Sequence, residues 1–171
     1  AALAYAALDW RVFPLLPDKK IPATPHGFKD ATTDPATIRR LFDNPCNLAI
    51  CTGQGLYVLD IDVRDGKGGD DTLAAWERQY GTLPRTRSVK TWSGGQHYYF
   101  THPGPLKKRP ALGPGVDFQA EGGYVVAPPS IVNGQPYAWD EEGDPAPLPD
   151  WLLALILQKP FKIFSKGSRN V

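Results

Sequence analysis

Two aspartates in the most hydrophobic stretch of the sequence have residue types and a spacing that suit chemistry. Asp60 and Asp62 interrupt a run from Leu56 to Val63 that otherwise has the composition of a buried strand. Side chains alternate between the two faces of a strand, so both carboxylates are predicted to project from one face. Buried carboxylates without a partner are costly and tend to protonate. We therefore expect a positive charge to lie over them.

A divalent cation is one group that can supply this charge. A calcium loop of the EF-hand kind fits poorly, because Arg64 occupies a ligand position and the required glycine register fails. A Mg²⁺ or Mn²⁺ site that keeps waters and also binds substrate phosphates needs only two or three carboxylates. Asp117, which lies between Val116 and Phe118 in another apolar segment, is the third candidate. The alternative for all three aspartates is a structural role, facing solvent or paired with Lys or Arg.

A glycine turn lies between the two acidic segments in the stretch "TWSGGQHYYF". Ser93, Gly94 and Gly95 are predicted to form a tight turn whose backbone N–H groups can face an anion. His97 begins the next strand and is predicted to contact a phosphate, the alternative being a structural histidine. The sequence has no Walker-type glycine loop and no G-x-S-x-G elbow, so P-loop NTPase and acyl-transfer chemistry have little support.

Bulk properties restrict the class of protein. A chain of 171 residues suits one domain, or one domain with two lobes, and its formal net charge of +1 gives no global basic field. No long apolar segment or signal-peptide pattern is visible, so we expect a cytoplasmic protein without a membrane partner. Cys46 and Cys51 lack the companions of a zinc site and are interpreted as reduced, structural thiols.

Helices between the early strands, followed by a run of strands, predict an α+β fold. Asp34 and Pro35 carry the signal of a helix start, and Asp70 or Asp71 is predicted to cap a second helix. Strands on both sides of "SGGQ" predict a hairpin. The segments "GVDFQA" and "GYVVAPPS" predict another strand pair, which turns around residues 121–123.

The ordered set of motifs resembles a known family. Asp60-Ile61-Asp62, then "SGGQH" from Ser93, then "GVD" ending at Asp117 are similar to the three motifs of the archaeo-eukaryotic primase superfamily. The likeness is to the bifunctional primase-polymerase (Prim-Pol) domain, and "WRVFPLLPDKKIP" and "GGYVVAPPS" extend it. The resemblance covers residues 1–155, which we expect to form a two-lobed catalytic domain. Residues 156–171 are expected to be a basic and polar tail that leads to a further C-terminal region.

The resemblance implies a fold and a set of metal ligands. The fold would be an N-terminal α/β lobe plus an RRM-like catalytic sheet with flanking helices. Asp60, Asp62 and Asp117 would hold two Mg²⁺ or Mn²⁺ ions, and His97 would complete the catalytic set. The sequence has no zinc-binding cysteine cluster, so the zinc-stem variety of the superfamily is not supported.

The resemblance also implies a nucleotide site. Ser93 and His97, with the backbone of Gly94 and Gly95, would hold the triphosphate of the incoming nucleotide. Further candidates for phosphate or template contacts, each of which has a solvated surface charge as its alternative, are Lys20, Arg85, Arg87, Lys107, Lys108 and Arg109.

The expected function is template-dependent DNA primase and polymerase activity. Nucleotides from dNTPs or NTPs would be transferred to a 3′-hydroxyl with release of pyrophosphate, on a single-stranded DNA template with its primer. The domain would belong to a larger replication or CRISPR-associated protein, with a helicase or another domain after it. One alternative is a metal-dependent phosphodiesterase or nuclease with His97 as general base. The other is a non-catalytic single-stranded DNA-binding module, although three carboxylates would repel phosphate.

Overall fold

Two main β-sheets of unequal size, together with a separate two-stranded sheet, organise residues 1–158, which are the residues that this computed structural model describes. The helices are α1 (Ala2–Ala6), α2 (Pro35–Leu41), α3 (Gly69–Tyr80) and α4 (Asp150–Leu157), with 3₁₀ turns at Gly27–Asp30 and Arg64–Gly66. The strands are β1 (Val12–Leu15), β2 (Asn47–Cys51), β3 (Leu56–Ile61), β4 (Ser88–Lys90), β5 (Gln96–Thr101), β6 (Arg109–Gly113), β7 (Val116–Gln119), β8 (Tyr124–Val126), β9 (Ile131–Val132), β10 (Gln135–Pro136), β11 (Ala138–Glu141) and β12 (Ala146–Pro147).

The larger sheet has the strand order β11-β4-β5-β3-β7-β6, and β12 adds to β5 as a parallel neighbour. The connection from β3 through α3 to β4 passes over the intervening β5, which is the arrangement of a split βαβ unit and agrees with the expected RRM-like sheet. The smaller sheet, β1-β2-β8, is antiparallel and takes its third strand from the second half of the chain. The predicted α+β class is confirmed.

The two faces of the larger sheet belong to two hydrophobic cores. On β3, Tyr57 and Leu59 pack in the core that includes α3 and α4. Leu56 and Val58 lie in the other core, which joins the larger sheet to the smaller one. Asp60 is the next residue on the side of Leu56 and Val58, because side chains alternate along a strand. The apolar pattern of β3 therefore directs one carboxylate into the space between the sheets.

One predicted hairpin is present and the other is not. β4 and β5 pair across the turn that contains "SGGQ", as predicted. The predicted pair around residues 121–123 is wrong, because β7 pairs with β3 in the larger sheet and β8 pairs with β2 in the smaller one. Glu121 fixes this crossing point, since its carboxylate accepts hydrogen bonds from the Gln54 N–H at 2.7 Å and the Tyr57 hydroxyl at 3.3 Å.

The two predicted helix starts have different outcomes. Asp34 is the N-cap of α2, as expected, and its carboxylate accepts a hydrogen bond from the Thr37 N–H at 2.8 Å. The predicted cap of α3 is wrong, because the helix begins at Gly69 and the N-cap is Gly68, with φ of +69°. The acidic pair of residues 70 and 71 lies in the first turn of α3, where carboxylates still interact favourably with the helix dipole.

The end of the described chain differs from the expected boundary of the tail. Helix α4 runs to Leu157 and buries Ile156, so residues 156 and 157 belong to a helix and not to a polar tail. The rest of the expected tail, residues 159–171, lies outside the described residues. None of the helices found in residues 1–158 combines the length and apolar character that a bilayer crossing requires.

Both cysteines are free thiols. Cys51 lies in β2 with 3% of its surface exposed, and burial raises its pKa to about 11. Burial also raises the pKa of Cys46, which is partly exposed. Both side chains are therefore protonated thiols at neutral pH, and Cys51 behaves as a small apolar residue of the core.

The strand that carries Asp117 should depend on Phe118 for its position. Phe118 is 1% exposed and its ring stacks on Tyr57, with the ring centroids 5.8 Å apart. We expect Phe118→Ala to lower the free energy of unfolding by about 3–5 kcal/mol, because it removes a buried ring and leaves a cavity. Phe118→Leu should cost clearly less. Urea unfolding measures both values, and a loss below about 1 kcal/mol for the alanine variant would contradict this packing.

Candidate active site

A row of three chemically active side chains crosses the centre of the larger sheet. In the strand register, Asp60 of β3 is opposite His97 of β5 on one side and opposite Asp117 of β7 on the other. Directly opposed residues of antiparallel strands project from the same face of the sheet. The His97 Nε2 atom lies 3.5 Å from the Asp60 Oδ1 atom. Residues that are far apart in sequence therefore form one continuous row.

The row borders a cleft of about 300 Å³ between the two sheets. Asp60 and His97 line it from the larger sheet, and β8 lines it from the smaller sheet. Tyr137 also lines the cleft, and its ring centroid is 6.0 Å from that of His97. Asp60 and His97 are therefore accessible from the cleft, whereas Asp117 is the cross-strand neighbour of Asp60 but does not itself line the cleft. The other residues that line the cleft are Lys20, Lys108, Gln119, Gly122 and Gly123.

Asp62 follows the end of β3 and is held by a loop. Its Oδ2 atom is 2.7 Å from the Lys67 Nζ atom, and its Oδ1 atom accepts a hydrogen bond from the Arg64 N–H at 2.9 Å. Burial alone would raise the pKa of Asp62, but the bonds from Lys67 and Arg64 lower it below the usual value. Part of the positive charge expected over the aspartates is therefore a lysine ammonium group.

Asp117 is anchored by a backbone contact. Its Oδ1 atom accepts a hydrogen bond from the Ala111 N–H at 2.6 Å. Ala111 lies in β6 where the pairing with β7 is irregular, and its φ is +50°. Asp117 has no salt bridge with any residue in 1–158. The alternative of an edge aspartate paired with Lys or Arg is therefore not supported.

The Ser93–Gly95 turn packs against the end of β3. A Cβ atom at Gly95 would lie 2.3 Å from the Ile61 carbonyl oxygen, so only glycine fits there. The Gly94 N–H donates to the Thr91 carbonyl oxygen at 3.1 Å and closes the turn. This amide is therefore not free to face an anion, which differs from the expected arrangement. The turn nevertheless lies beside the residue that precedes Asp62.

Lys20 reaches the site from the loop that follows β1. Its Nζ atom is 5.7 Å from the centroid of the Trp92 ring, and the Arg64 guanidinium carbon is 5.6 Å from the same centroid. Burial lowers the pKa of Lys20, while the negative charge of Asp60 acts in the opposite direction. Trp92 therefore supports two cations by cation–π contacts beside the carboxylates.

Three of the other basic candidates have different surroundings. Lys108 lines the cleft and donates to the Gly122 carbonyl oxygen at 3.3 Å. Lys107 is exposed. Arg85 is an exposed residue away from the cleft, and its Nε donates to Glu141 at 2.9 Å. Of these three, the structure brings only Lys108 to the cleft.

Two further arginines have structural partners. Arg87 lies between Trp10 and Trp139, with its guanidinium carbon 5.0 Å and 4.1 Å from the ring centroids. Arg109 donates to two carbonyl oxygens at the C-terminal end of α4. A guanidinium group at a helix C-terminus satisfies carbonyl groups that have no partner within the helix. Both arginines therefore stabilise elements of the fold.

Three residues of the site were not among the sequence candidates. Arg64 and Lys67 lie two and five residues after Asp62 in the stretch "VRDGKGG". Basic residues in the loop that follows an acidic pair are a sequence signal that could have identified them. Tyr137 had no such signal, because its position beside His97 comes from long-range pairing.

A family model described as the N-terminal part of bifunctional DNA primase/polymerase matches residues 2–151. The matched range contains the carboxylate row, Asp62 and the Ser93–Gly95 turn. The chain belongs to the bifunctional DNA primase/polymerase (Prim-Pol) family. The resemblance seen in the motifs is thus confirmed, and Prim-Pol membership indicates primase/polymerase activity on DNA and nucleotides at the level of the family. A search of curated proteins gave no match.

The Prim-Pol family is typically metal-dependent, and the carboxylates of this site are the groups that would bind a cation. Within residues 1–158, no three His, Cys, Asp or Glu side chains form a ready-made metal site. Asp60 and Asp117 are nevertheless neighbours that offer the hard oxygen ligands preferred by Mg²⁺ and Mn²⁺. The Oδ2 atom of Asp62 contacts Lys67, so a cation at this carboxylate would share it with the lysine or displace the lysine. The residues fit a cation that keeps waters and takes phosphate oxygens as further ligands.

The close approach of Gly95 to the Ile61 carbonyl group at the end of β3 can be tested by substitution. Gly95→Ala should lower the free energy of unfolding by about 1–3 kcal/mol, because its Cβ would collide with a backbone carbonyl group. Gly104→Ala is the matched control, since its Cβ would have no atom closer than 3.5 Å. Denaturant unfolding measures both variants. Equal stability of the two would show that the turn does not pack against β3.

Proposed function

We propose that this domain is a template-dependent DNA primase/polymerase that transfers a nucleotide from a nucleoside triphosphate to a 3′-hydroxyl and releases pyrophosphate. The observation that carries the proposal is the row in which Asp60 has His97 and Asp117 as its two cross-strand neighbours, beside a cleft between the sheets. Membership of the Prim-Pol family supports it. A pure DNA-binding module would gain nothing from carboxylates that repel phosphate.

The carboxylates provide the binding site for Mg²⁺ or Mn²⁺ in this proposal. Asp60 and Asp117 would hold the cations, and Asp62 would complete the set. When bound, such cations neutralise negative charge on the phosphates and lower the pKa of the attacking hydroxyl group. The protein fixes the spacing of the two central carboxylates, because both belong to paired strands of one sheet. This rigidity limits the reorganisation needed when substrate binds.

His97 is proposed to hold the triphosphate. Its side chain is 7% exposed, and its Nδ1 atom is buried with no hydrogen-bond partner in the described part of the chain. A buried polar atom without a partner is uncommon and is satisfied when a ligand supplies one. Its Nε2 atom faces Asp60, so Nδ1 is the ring nitrogen left to donate to a phosphate oxygen, after a side-chain movement that exposes it. The histidine then positions nucleotide without exchanging a proton with it.

The remaining contacts of the nucleotide are proposed from position and charge. Lys20 and Lys108 line the same cleft as His97, so their ammonium groups can pair with phosphate oxygens. Ser93 belongs to the turn that packs against the end of β3 and can contact the same anion. Arg87 and Arg109 are not included, since their contacts stabilise the fold, and Arg85 is not included, since it is exposed and away from the cleft. Lys107 remains a candidate for the template backbone.

We further propose that the domain works with a helicase or another domain of a larger protein. The description of the matching family, which names an N-terminal part, supports this arrangement.

Removal of single charges tests the proposed role of the row. Asp60→Asn and Asp117→Asn should each lower the rate of nucleotide incorporation at least about a thousandfold, because the amide keeps the shape but loses the charge that binds a cation. Asp140→Asn is the control, since this β11 carboxylate contacts Lys90 and Gln96 away from the cleft. Primer extension with pyrophosphate detection measures all three. Near wild-type activity in both row variants would end the proposal.

Loss of the imidazole tests the proposed nucleotide contact. His97→Ala should lower kcat/KM for nucleotide about ten- to two-hundredfold with DNA affinity little changed, because a charge-assisted hydrogen bond is worth about 1.5–3 kcal/mol. His97→Asn, which retains one donor, should lose less. The measurements are nucleotide binding, single-turnover incorporation and a cleavage assay on the same DNA. Lost cleavage with unchanged nucleotide affinity would instead identify a nuclease that uses His97 as general base.

A further inference from the structure

A short loop places a lysine directly on one of the three motif aspartates. The loop leaves β3 at Asp62 and enters α3 at Gly69, and both of its ends lie at the same place. The Gly69 N–H donates to the Asp62 carbonyl oxygen at 3.0 Å, and the Asp62 N–H donates to the Gly115 carbonyl oxygen at 2.8 Å. A Cβ at Gly69 would lie 2.4 Å from the Gly115 carbonyl oxygen. The ends are therefore fixed, while Lys67 lies between them.

Lys67 itself is held mainly by charge. Its side chain is 46% exposed, and its Nζ atom contacts the Asp62 Oδ2 atom at 2.7 Å. The flanking residues are Gly66 and Gly68, with φ of +72° and +69°, and neither has an atom closer than 4 Å to the position of a Cβ. Half-exposed ion pairs change an equilibrium constant only about two- to fivefold. Lys67 can therefore leave Asp62 without disrupting the packing of the fold.

The charges beside the cleft favour an exchange of this kind. Asp62 and its neighbours in the site carry negative charge, and the cations within interaction range of Lys20 include Arg64 and Lys67. A divalent cation bound to Asp62 would repel an ammonium group that contacts the same carboxylate. The released ammonium group then needs another anion. Asp62 and Lys67 do not line the cleft themselves, but both act electrostatically on Lys20, which does. A nucleoside triphosphate in the cleft would bring an anion close to them.

We propose that Lys67 exchanges partners when nucleotide is loaded: it neutralises Asp62 in the free domain and contacts the triphosphate once a divalent cation is bound at Asp62. The inference rests on the proposed function and adds a nucleotide-binding residue to it. Lys67 keeps the net charge of the site balanced in both states. It also delays the assembly of the complete carboxylate set until cation and nucleotide are both present.

The exchange predicts that Lys67→Gln raises the affinity for Mn²⁺ and lowers the affinity for nucleotide. Lys67→Gln should bind Mn²⁺ about two- to fivefold more tightly without nucleotide, because a competing cation is removed. In the presence of Mn²⁺ it should bind a non-hydrolysable dNTP analogue about ten- to hundredfold more weakly, because a charge-assisted hydrogen bond is lost. Free Mn²⁺ is measured by electron paramagnetic resonance, and nucleotide binding by calorimetry.

Two further variants serve as controls. Lys29→Gln changes an exposed lysine of the Gly27–Asp30 turn and should alter neither affinity. Lys67→Arg keeps the charge and should retain most of the nucleotide affinity. A Lys67→Gln variant in which both affinities are unchanged, or both are weakened, overturns the exchange, because a merely structural lysine gives one of those results.

Asp60→Asn separates failure of the exchange from failure of the proposed function. If the wild-type domain incorporates nucleotide and Asp60→Asn does not, the proposed function holds, and the two Lys67→Gln affinities alone decide the exchange. If the wild type neither binds Mn²⁺ nor incorporates nucleotide, the proposed function and the exchange are both wrong.

Discussion

Repulsion between Asp60 and Asp117, which are directly opposed on neighbouring strands, is the constraint on which the rest of the structure depends. Directly opposed like charges destabilise a strand pair by up to about 1 kcal/mol. On the other face of the same strands, Leu59 is fully buried and Phe118 is 1% exposed. Burial of one such side chain contributes about 1.5–3 kcal/mol, so the helix-side core outweighs the repulsion. The sheet can therefore keep these two opposed carboxylates on one face, from which Asp60 lines the cleft.

A histidine and two lysines from separate parts of the chain lie around this charge. His97 comes from the neighbouring strand, Lys20 from the loop after β1, and Lys67 from the loop after β3. The smaller sheet completes the cleft through β8, which reaches it because the chain crosses between sheets at Glu121. The fold thus brings a carboxylate row, a histidine and two lysines to one place, which is the arrangement that the proposed binding of a cation and a polyphosphate needs.

The sequence allowed part of this site to be predicted. The alternating pattern of β3 predicted that Asp60 and Asp62 share a face, and the order of the three motifs made Asp60, His97 and Asp117 candidates for the site. Their alignment in one row depends on long-range strand register, which local patterns do not specify. The sequence also could not show that Arg87 is a structural residue and not a phosphate ligand. Its partners, Trp10 among them, lie far away in sequence. The turn signal at residues 121–123 was real, but it marks a change of sheet and not a hairpin.

The most direct test of this account is anomalous diffraction from crystals grown with Mn²⁺ and a non-hydrolysable deoxynucleoside triphosphate. The account predicts an anomalous peak within bonding distance of the carboxylates of Asp60 and Asp117, with the triphosphate beside His97. Absence of a peak at these carboxylates, or a nucleotide bound on another surface with the row unchanged, would contradict it.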